Sequence, residues 1–262
     1  MMDWVFGWPL WVVGPLLELL LVGFALLGVR FVRARVLPRL RVTHDDSHFV
    51  GTMVHSIMVF YGLVLALIAV NVFETYNEAS GVVSAEAAAL AALYRDVSGY
   101  PEPARSDLQA ALRDYVGYTI REAWPVQRRG RVPTAGVEKM DRFQAHLETF
   151  EPRTEGEKIV DAEAWRAYNR FTEVRRARLD RVTIGLPGVM WLVVLLGAAI
   201  SLSASFFFRV QDVRLHGILV MLLATFVASV IFVIIAMDHP FRGDLGIPAD
   251  SYQLIYDHLM NR

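Results

Sequence analysis

The sequence has no cysteine, and lysine is almost absent from it. Without cysteine the chain forms no disulfide, has no thiolate nucleophile and offers no thiolate ligand to a metal. Only Lys139 and Lys158 are lysines among 26 basic residues, so arginine carries nearly all the positive charge, a bias typical of GC-rich bacteria. Neither sign of charge is in excess, because the 26 basic and 27 acidic residues give a formal net charge of −1. We therefore expect no basic surface for nucleic acid.

Charged residues of both signs are few for a chain of this length. They make up 20% of the 262 residues, whereas hydrophobic residues make up 55%. The mean hydropathy is +0.37, which is too apolar for an ordinary soluble domain. This balance predicts a polytopic membrane protein whose main surroundings are the lipid bilayer.

Four apolar stretches are long enough to cross about 30 Å of hydrocarbon. They are the ranges 10–29, 49–73, 182–208 and 215–236. The second stretch lacks charged residues and continues into an Ala- and Glu-rich segment without proline. We therefore predict one helix of roughly 50 residues from Phe49 to Ser98, about 75 Å long.

The sequence predicts an all-α integral membrane protein in which four transmembrane helices flank a helical soluble insert between the second and third. Its parts are a first transmembrane pair, 1–73, with an Arg-rich loop, 30–48; a helical polar insert continuous with the flanking spans, 74–181; a second transmembrane pair, 182–236; and a membrane-boundary tail with a short amphipathic helix, 237–262. The first helix breakers after Ile159 are Gly185 and Pro187, so the return helix of the insert should run straight into the third span.

One face of the second span changes character along its length. At 100° per residue, seven positions form what we call the span-2 stripe: Ser56, Phe60, Leu63, Leu67, Asn71, Glu74 and Glu78. Four small residues continue it: Gly81, Ala85, Ala88 and Ala92. If copies of this helix surround an axis, the stripe forms an apolar constriction and then an acidic mouth, the parts from which channels are built. Alternatively, Glu74 and Glu78 are the solvated start of a soluble helix, and the alanines pack within one subunit.

Two further sets of charged residues lie in or beside the predicted spans. Glu18 is in the middle of the first span, where it either faces a partner helix or water or sits protonated in a structural contact. Asp238, His239 and Arg242 follow the fourth span. They form either a proton or ion site or a salt-bridged helix terminus that proline ends.

No set of residues indicates catalysis, a metal or a cofactor. His44, Asp45, Asp46 and His48 are close in sequence, but a helix cap with solvated neighbours accounts for them better than a ligand set. No nucleophile with a nearby base is evident. We therefore expect no catalytic residues, no metal site and no cofactor.

Several short phrases carry a resemblance to a known family. They are Leu37-Pro38 followed by His44 and Asp46-Ser47, Glu122-Ala123-Trp124-Pro125, and Pro240-Phe241-Arg242-Gly243. Together with the order of spans and insert, they resemble the bacterial membrane-protein family labelled "bestrophin-like domain". That name implies a distant likeness to bestrophins, pentameric anion channels whose second span lines the pore. The chain departs from bestrophins in its shorter insert and in having no evident acidic calcium clasp after the fourth span.

The arginines of the short loops predict the orientation of the chain. Seven of them lie between residues 30 and 48 or between 209 and 214, whereas the short terminal segments hold only Arg242 and Arg262. Arginine in short loops favours the cytoplasmic side, so we expect a multi-pass protein of the bacterial inner membrane with its insert outside. The six arginines from Arg166 to Arg181 favour the opposite orientation, although long loops count for less.

Two functions from different classes agree with these features. The first is a homo-oligomeric ion channel in which the second span lines the axis and the acidic mouth attracts cations, with inorganic ions as ligands. The second is a non-conducting membrane scaffold or envelope sensor, favoured by the long helical stalk. An enzyme is not expected.

Overall fold

The computed structural model describes residues 8–39, 44–208, 210 and 212–261, and the side chains of all of these except 44–48. The α-helices are α1 (Leu10–Phe31), α2 (His44–Asp96), α3 (Ala104–Tyr118), α4 (Trp124–Arg128), α5 (Gly136–Glu148), α6 (Glu155–Arg181), α7 (Gly188–Ser205), α8 (Val213–Met237) and α9 (Asp250–Ile255). Shorter turns of π or 3-10 helix are Val32–Val36, Val97–Gly99, Thr119–Ala123 and Tyr256–Met260. Over the described ranges every regular element is helical, as the sequence predicts.

Four helical stretches within the described residues are long and apolar enough to cross a membrane. They are Leu10–Val36, Phe49–Gly99, Gly188–Ser205 and Val213–Met237. The predicted number and order of spans are therefore confirmed. The second stretch belongs to α2, which runs without interruption for 53 residues, as its lack of proline predicts.

The chain divides into two compact units. The membrane unit comprises Met1–Glu74 and Gly185–Asp238, and the polar unit comprises Thr75–Ile184 and His239–Arg262. Each unit has an apolar core of its own.

Close helix contacts hold the membrane unit together. Gly197 on α7 lies against the ring of Tyr61 on α2, where a Cβ atom would come within 2.4 Å of the ring carbons. The hydroxyl of Tyr61 donates a hydrogen bond to the Val194 carbonyl at 2.9 Å, one turn earlier on α7. A small residue at this place thus lets a large aromatic side chain pack against the helix backbone.

The polar unit is built around the second half of α2. Leucines of α2 and α3 pack with aromatic residues of α5 and α6 in one buried cluster that includes Leu90, Leu93, Leu108, Leu112, Phe143 and Phe171. A capping box begins α6, because Thr154 accepts from the backbone of Glu157 and the Glu157 carboxylate accepts from the backbone of Thr154. The apolar faces of these amphipathic helices therefore form the core of the polar unit.

The return helix does not run straight into the third span, and that prediction was wrong. The helix α6 ends at Arg181, and α7 begins only at Gly188, with Pro187 as its N-cap. The Leu186 amide donates to Asp238 Oδ1 at 2.5 Å, which satisfies a backbone group just before α7. Because a proline cannot donate a helical hydrogen bond, the chain uses Pro187 to begin a new helix.

Two predicted helix ends also differ from the structure. The first span was expected to end at Val29, but helical turns continue through Arg30 to Val36. The third span was expected to end at Phe208, but α7 ends at Ser205. Of the Arg-rich segment, Arg41 lies outside the described residues.

Candidate pore-lining face and buried ion pair

The apolar half of the span-2 stripe points away from the core of the membrane unit. Phe60, Leu63 and Leu67 are 71%, 57% and 63% exposed, whereas Leu65 and Ile68 on the other side of α2 are 5% and 6% exposed. Helical spacing thus separates a buried face from a face of large, unburied hydrophobic side chains. Such a face requires either lipid or another protein surface against it.

The polar half of the stripe is exposed as well. Asn71, Glu74 and Glu78 are all exposed, and Ser56 at the other end is half-buried. Glu78 does not stand alone, because Arg181 Nη2 lies 3.2 Å from its carboxylate within the polar unit. Glu74 has no ion pair among the described residues. Of the two carboxylates of the predicted mouth, only that of Glu78 therefore has an arginine beside it in the described part of the chain.

The small residues that continue the stripe remain exposed in the polar unit. Gly81, Ala85, Ala88 and Ala92 all lie on the surface. The only charged residue from Ala79 to Tyr94 is Glu86, and it is completely buried. A helix in a polar unit thus has a continuous surface face with no charge on it.

The buried partner of Glu86 is Arg178 of α6, an ion pair that sequence reasoning did not find. The guanidinium donates from Nε to Glu86 Oε2 at 2.5 Å and from Nη2 to Oε1 at 3.2 Å, a bidentate geometry. Its Nη1 donates to the side-chain amide oxygen Oε1 of Gln127 at 2.6 Å. Arg178 and Glu86 are 2% and 0% exposed. The one available signal was that Glu86 is the sole charge in an otherwise apolar stretch.

Aromatic rings cover this ion pair. The guanidinium carbon of Arg178 lies 5.4 Å from the ring centre of Trp124 and 5.8 Å from that of Tyr252, both within cation–π range. The Tyr115 hydroxyl is 3.4 Å from Glu86 Oε1 and accepts from Arg175 Nε at 3.1 Å. The network therefore joins α2, α3, α4, α6 and α9 inside the polar unit.

Burial and the ion pair shift the pKa values of these groups. Burial raises the pKa of Tyr252 well above its usual value, and it also raises the pKa of Tyr115, an effect that the Glu86 carboxylate increases. Burial alone would lower the pKa of Arg178, but the neighbouring Tyr252 and Glu86 outweigh it and raise that pKa. The tyrosines thus remain neutral and the arginine charged at neutral pH.

Two of the phrases that carried the family resemblance, 122–125 and 240–243, meet in the polar unit. Trp124 packs edge-on against Phe241 at 6.0 Å between ring centres, and its indole N–H donates to the Ile247 carbonyl at 2.9 Å. Arg242 lies against Gly130, where a Cβ atom would clash with its guanidinium at 1.8 Å and where φ is +71°. Only glycine readily fits that position. The tail was expected on the membrane surface or on the insert, and Tyr252 packs inside the polar unit.

The predicted boundary cluster divides between the two units. Asp238 belongs to the membrane unit, where its buried carboxylate accepts from the Leu186 amide and, at 3.4 Å, from the Trp191 indole. His239 and Arg242 belong to the polar unit. Asp238 therefore joins the end of α8 to the segment just before α7 and to Trp191 through hydrogen bonds.

The remaining candidates from the sequence are Glu18 and the cluster of histidines and aspartates between residues 44 and 48. Glu18 is exposed on α1 of the membrane unit. The side chains of His44, Asp45, Asp46 and His48 lie outside the described part of the structure. Among the residues that are described, no three His, Asp or Glu side chains come together as a metal site would require.

The fold and the family can now be stated. An all-helical chain with four apolar spans is a multi-pass membrane protein, since helices satisfy every backbone group inside lipid. The family described as "Bestrophin-like domain" matches residues 19–252, so the chain belongs to the bestrophin-like domain family. The predicted membership is confirmed. It supports a channel-like membrane protein rather than an enzyme.

Solved structures agree with this assignment. One crystal structure of a membrane protein and one of a bacterial bestrophin homologue from Klebsiella pneumoniae each superpose with a TM-score of 0.69. Each is 12% identical and matches 95% of this chain, covering 97% of the first protein and 98% of the second. At this identity the likeness shows the fold alone. No curated protein matches the sequence significantly.

Proposed function

We propose that the protein is a homo-oligomeric ion channel in which α2 of each subunit lines a shared axis. The observation that carries the proposal is the exposure of the stripe along both halves of α2. The face begins with large apolar side chains, passes to carboxylates and ends with small residues, all uncovered in the single subunit. Around a shared axis, the small residues at the end of the face let copies of the helix approach closely.

The apolar part of the stripe is the gate in this proposal. Rings of Phe60, Leu63 and Leu67 around an axis make a hydrophobic constriction, which stops ions by excluding water when it is narrow. The buried packing of Leu65 and Ile68 on the opposite face supports it, since it fixes the rotation of α2 within the subunit.

The carboxylates set which ions approach the mouth. Glu74 has no ion-pair partner among the described residues, whereas Arg181 lies beside the carboxylate of Glu78. A ring of such carboxylates attracts cations and repels anions. We therefore assign most of the cation attraction to Glu74. The proposal also places the polar unit outside the bacterial inner membrane, supported by the arginines of the short loops.

Recordings from purified protein in planar bilayers test the channel. We expect conductance, with a cation preference that falls in Glu74→Gln and changes less in Glu78→Gln. Glu138→Gln, an exposed carboxylate of α5 away from the stripe, is the matched control and should behave as wild type.

A non-conducting scaffold or envelope sensor is the alternative outcome of the same experiment. It follows if the bilayers stay silent under all ionic conditions, or if a structure of the assembly shows lipid or solid packing on its axis.

The absence of cysteine also allows the orientation to be tested. Ser98→Cys should then react with an impermeant maleimide on intact spheroplasts, whereas Arg39→Cys should react only after lysis.

A further inference from the structure

Two helices of the membrane unit, α1 and α8, run antiparallel and form a seam whose register two glycines define. A Cβ atom on Gly14 would lie 3.2 Å from the Phe232 ring, and one on Gly217 would lie 3.9 Å from the Leu26 side chain. A step forward along α1 thus corresponds to a step back along α8. The last turn of α1 therefore lies beside the first turn of α8.

This register brings two arginines to the same level of the seam. Arg30 lies one turn beyond Leu26 on α1, and Arg214 lies one turn before Gly217 on α8. Both side chains are exposed, and neither makes an ion pair with a described residue. Two neighbouring charges of one sign repel each other unless an anion offsets them. The seam thus presents two guanidinium groups to an anion from outside.

The two arginines lie where the hydrocarbon of a bilayer ends. Arg30 follows Leu10, the first residue of α1, by twenty residues, or about 30 Å of helix, which equals the usual hydrocarbon thickness. Arg214 belongs to the first turn of α8. Arg33, one turn after Arg30, donates from Nη1 to the Val210 carbonyl at 3.0 Å and so holds the segment before α8 against this end. The charges therefore lie at the depth of lipid phosphates.

Positive charge exceeds negative charge at this end of the membrane unit. The described ranges 28–39 and 212–217 contain five arginines and one carboxylate, that of Asp212. This carboxylate caps α8, because it accepts from the backbone amides of Arg214 at 2.8 Å and Leu215 at 3.4 Å. An anion at the seam is therefore attracted by more charge than the described part of this end balances.

Deeper in the membrane, the same seam is apolar and partly open. Ile218 and Leu222 follow Arg214 in steps of four residues along α8, and both are exposed. On α1, two turns before Arg30, a Cβ atom on Gly23 would meet nothing within 4 Å. Open space beside a glycine lets an acyl chain lie against the helix. Charge at the boundary and apolar surface below it follow the order of the parts of a phospholipid.

We propose that Arg30 and Arg214 bind the phosphate of an anionic phospholipid, of the phosphatidylglycerol type, at this seam. Each guanidinium donates in bidentate fashion to phosphate oxygens, and one acyl chain lies along Gly23, Ile218 and Leu222. A lipid with a net negative charge is preferred, because the arginines of this end repel the ammonium group of an ethanolamine or choline headgroup.

Native mass spectrometry of the delipidated full chain in detergent tests the site. Phosphatidylglycerol, phosphatidylethanolamine and phosphatidylcholine with identical acyl chains are titrated separately. Bound lipid is counted per subunit, so the result does not depend on whether the protein conducts. We expect the glycerol lipid to bind at least about fivefold more tightly than the other two. The double variant Arg30→Gln with Arg214→Gln should abolish this preference. Lysine at both positions should keep part of it, since lysine keeps the charge but lacks the planar fork.

Two single variants separate the seam from general effects of charge and packing. Arg39→Gln removes an exposed arginine of the same end beyond the helical turns and should reduce the preference less than Arg30→Gln does. Gly23→Leu fills the open space without changing charge, so it should weaken binding of all three lipids and keep their order. Inorganic phosphate in excess should not displace the glycerol lipid, because it has no acyl chain.

Four results would overturn the proposal. Wild type shows no preference among the lipids, or Arg39→Gln reduces the preference as much as Arg30→Gln does, which indicates diffuse attraction. Alternatively, inorganic phosphate displaces the lipid completely, which indicates a site for free phosphate. Finally, the double glutamine variant dissociates the oligomer while lipid binding is unchanged, which makes the two arginines a subunit contact. The same spectra report the mass of the assembly for every variant.

Discussion

Arg178 donates to both carboxylate oxygens of Glu86, and both side chains are almost completely removed from solvent. The pair joins α2 to α6 inside the polar unit, with Trp124 and Tyr252 covering the guanidinium. Removing two charges from water costs much of what their attraction returns. The pair therefore does more to specify how the helices meet than to raise stability.

Loss of one partner of this pair should be far more damaging than loss of both. We expect Arg178→Met to destabilise the polar unit by about 3–5 kcal/mol, because Glu86 is left buried and uncompensated. The double variant with Glu86→Met should recover most of that loss. Arg166→Met, which breaks the exposed pair with Glu163, should cost at most about 1 kcal/mol. Unfolding of the full chain in detergent, followed by tryptophan fluorescence, measures all three, and equal losses in the single and double variants would contradict this account.

The sequence was sufficient for the spans and for the exposed face of α2. Long apolar runs determine membrane crossing by length alone, and the step of three or four residues defines the stripe whose members are exposed in the structure. Its place on an oligomer axis stays a prediction, because one subunit carries no information about its copies.

The contacts between distant segments could not be predicted. Glu86 and Arg178 are 92 residues apart, and the sequence around each residue does not indicate which residue it pairs with. The break before α7 was missed for a related reason. Pro187 was recognised as a breaker, but α6 ends earlier, at Arg181, and the Leu186 amide before the new helix is satisfied by Asp238 from a helix far along the chain.

A substitution at Gly197 should disturb the contact between α7 and α2. Alanine there would place its Cβ within 2.4 Å of the Tyr61 ring, so helix or ring must move, at a cost of about 1–3 kcal/mol. Tyr61→Leu in the same chain should recover part of this loss by removing the ring. Gly62→Ala, where a Cβ meets nothing within 4 Å, is the matched control and should leave the melting temperature in detergent unchanged or raised.

The polar unit should lose stability in alkaline solution. Burial raises the pKa of Tyr252, whereas in the unfolded chain it titrates near its ordinary value of about 10. Its contribution is therefore complete below about pH 10 and decreases as pH rises above that value, by up to about 1.4 kcal/mol per pH unit. Tyr252→Phe should reduce the slope between pH 10 and 11, because phenylalanine has no hydroxyl that can ionise. Unfolding midpoints measured across this range test the sign, and an unchanged slope would be inconsistent with it.

A polar residue in the apolar part of the span-2 stripe should open the proposed gate. Leu63→Ser puts a hydroxyl into the hydrophobic constriction, so water and ions should enter more readily and conductance at zero voltage bias should increase several-fold. Phe73→Ser is the control, because Phe73 is 53% exposed but lies about 120° from the centre of the stripe on the same helix. Planar-bilayer recordings of both variants decide between the two faces of α2. A larger effect from Phe73→Ser than from Leu63→Ser would show that the axis faces a different side of α2.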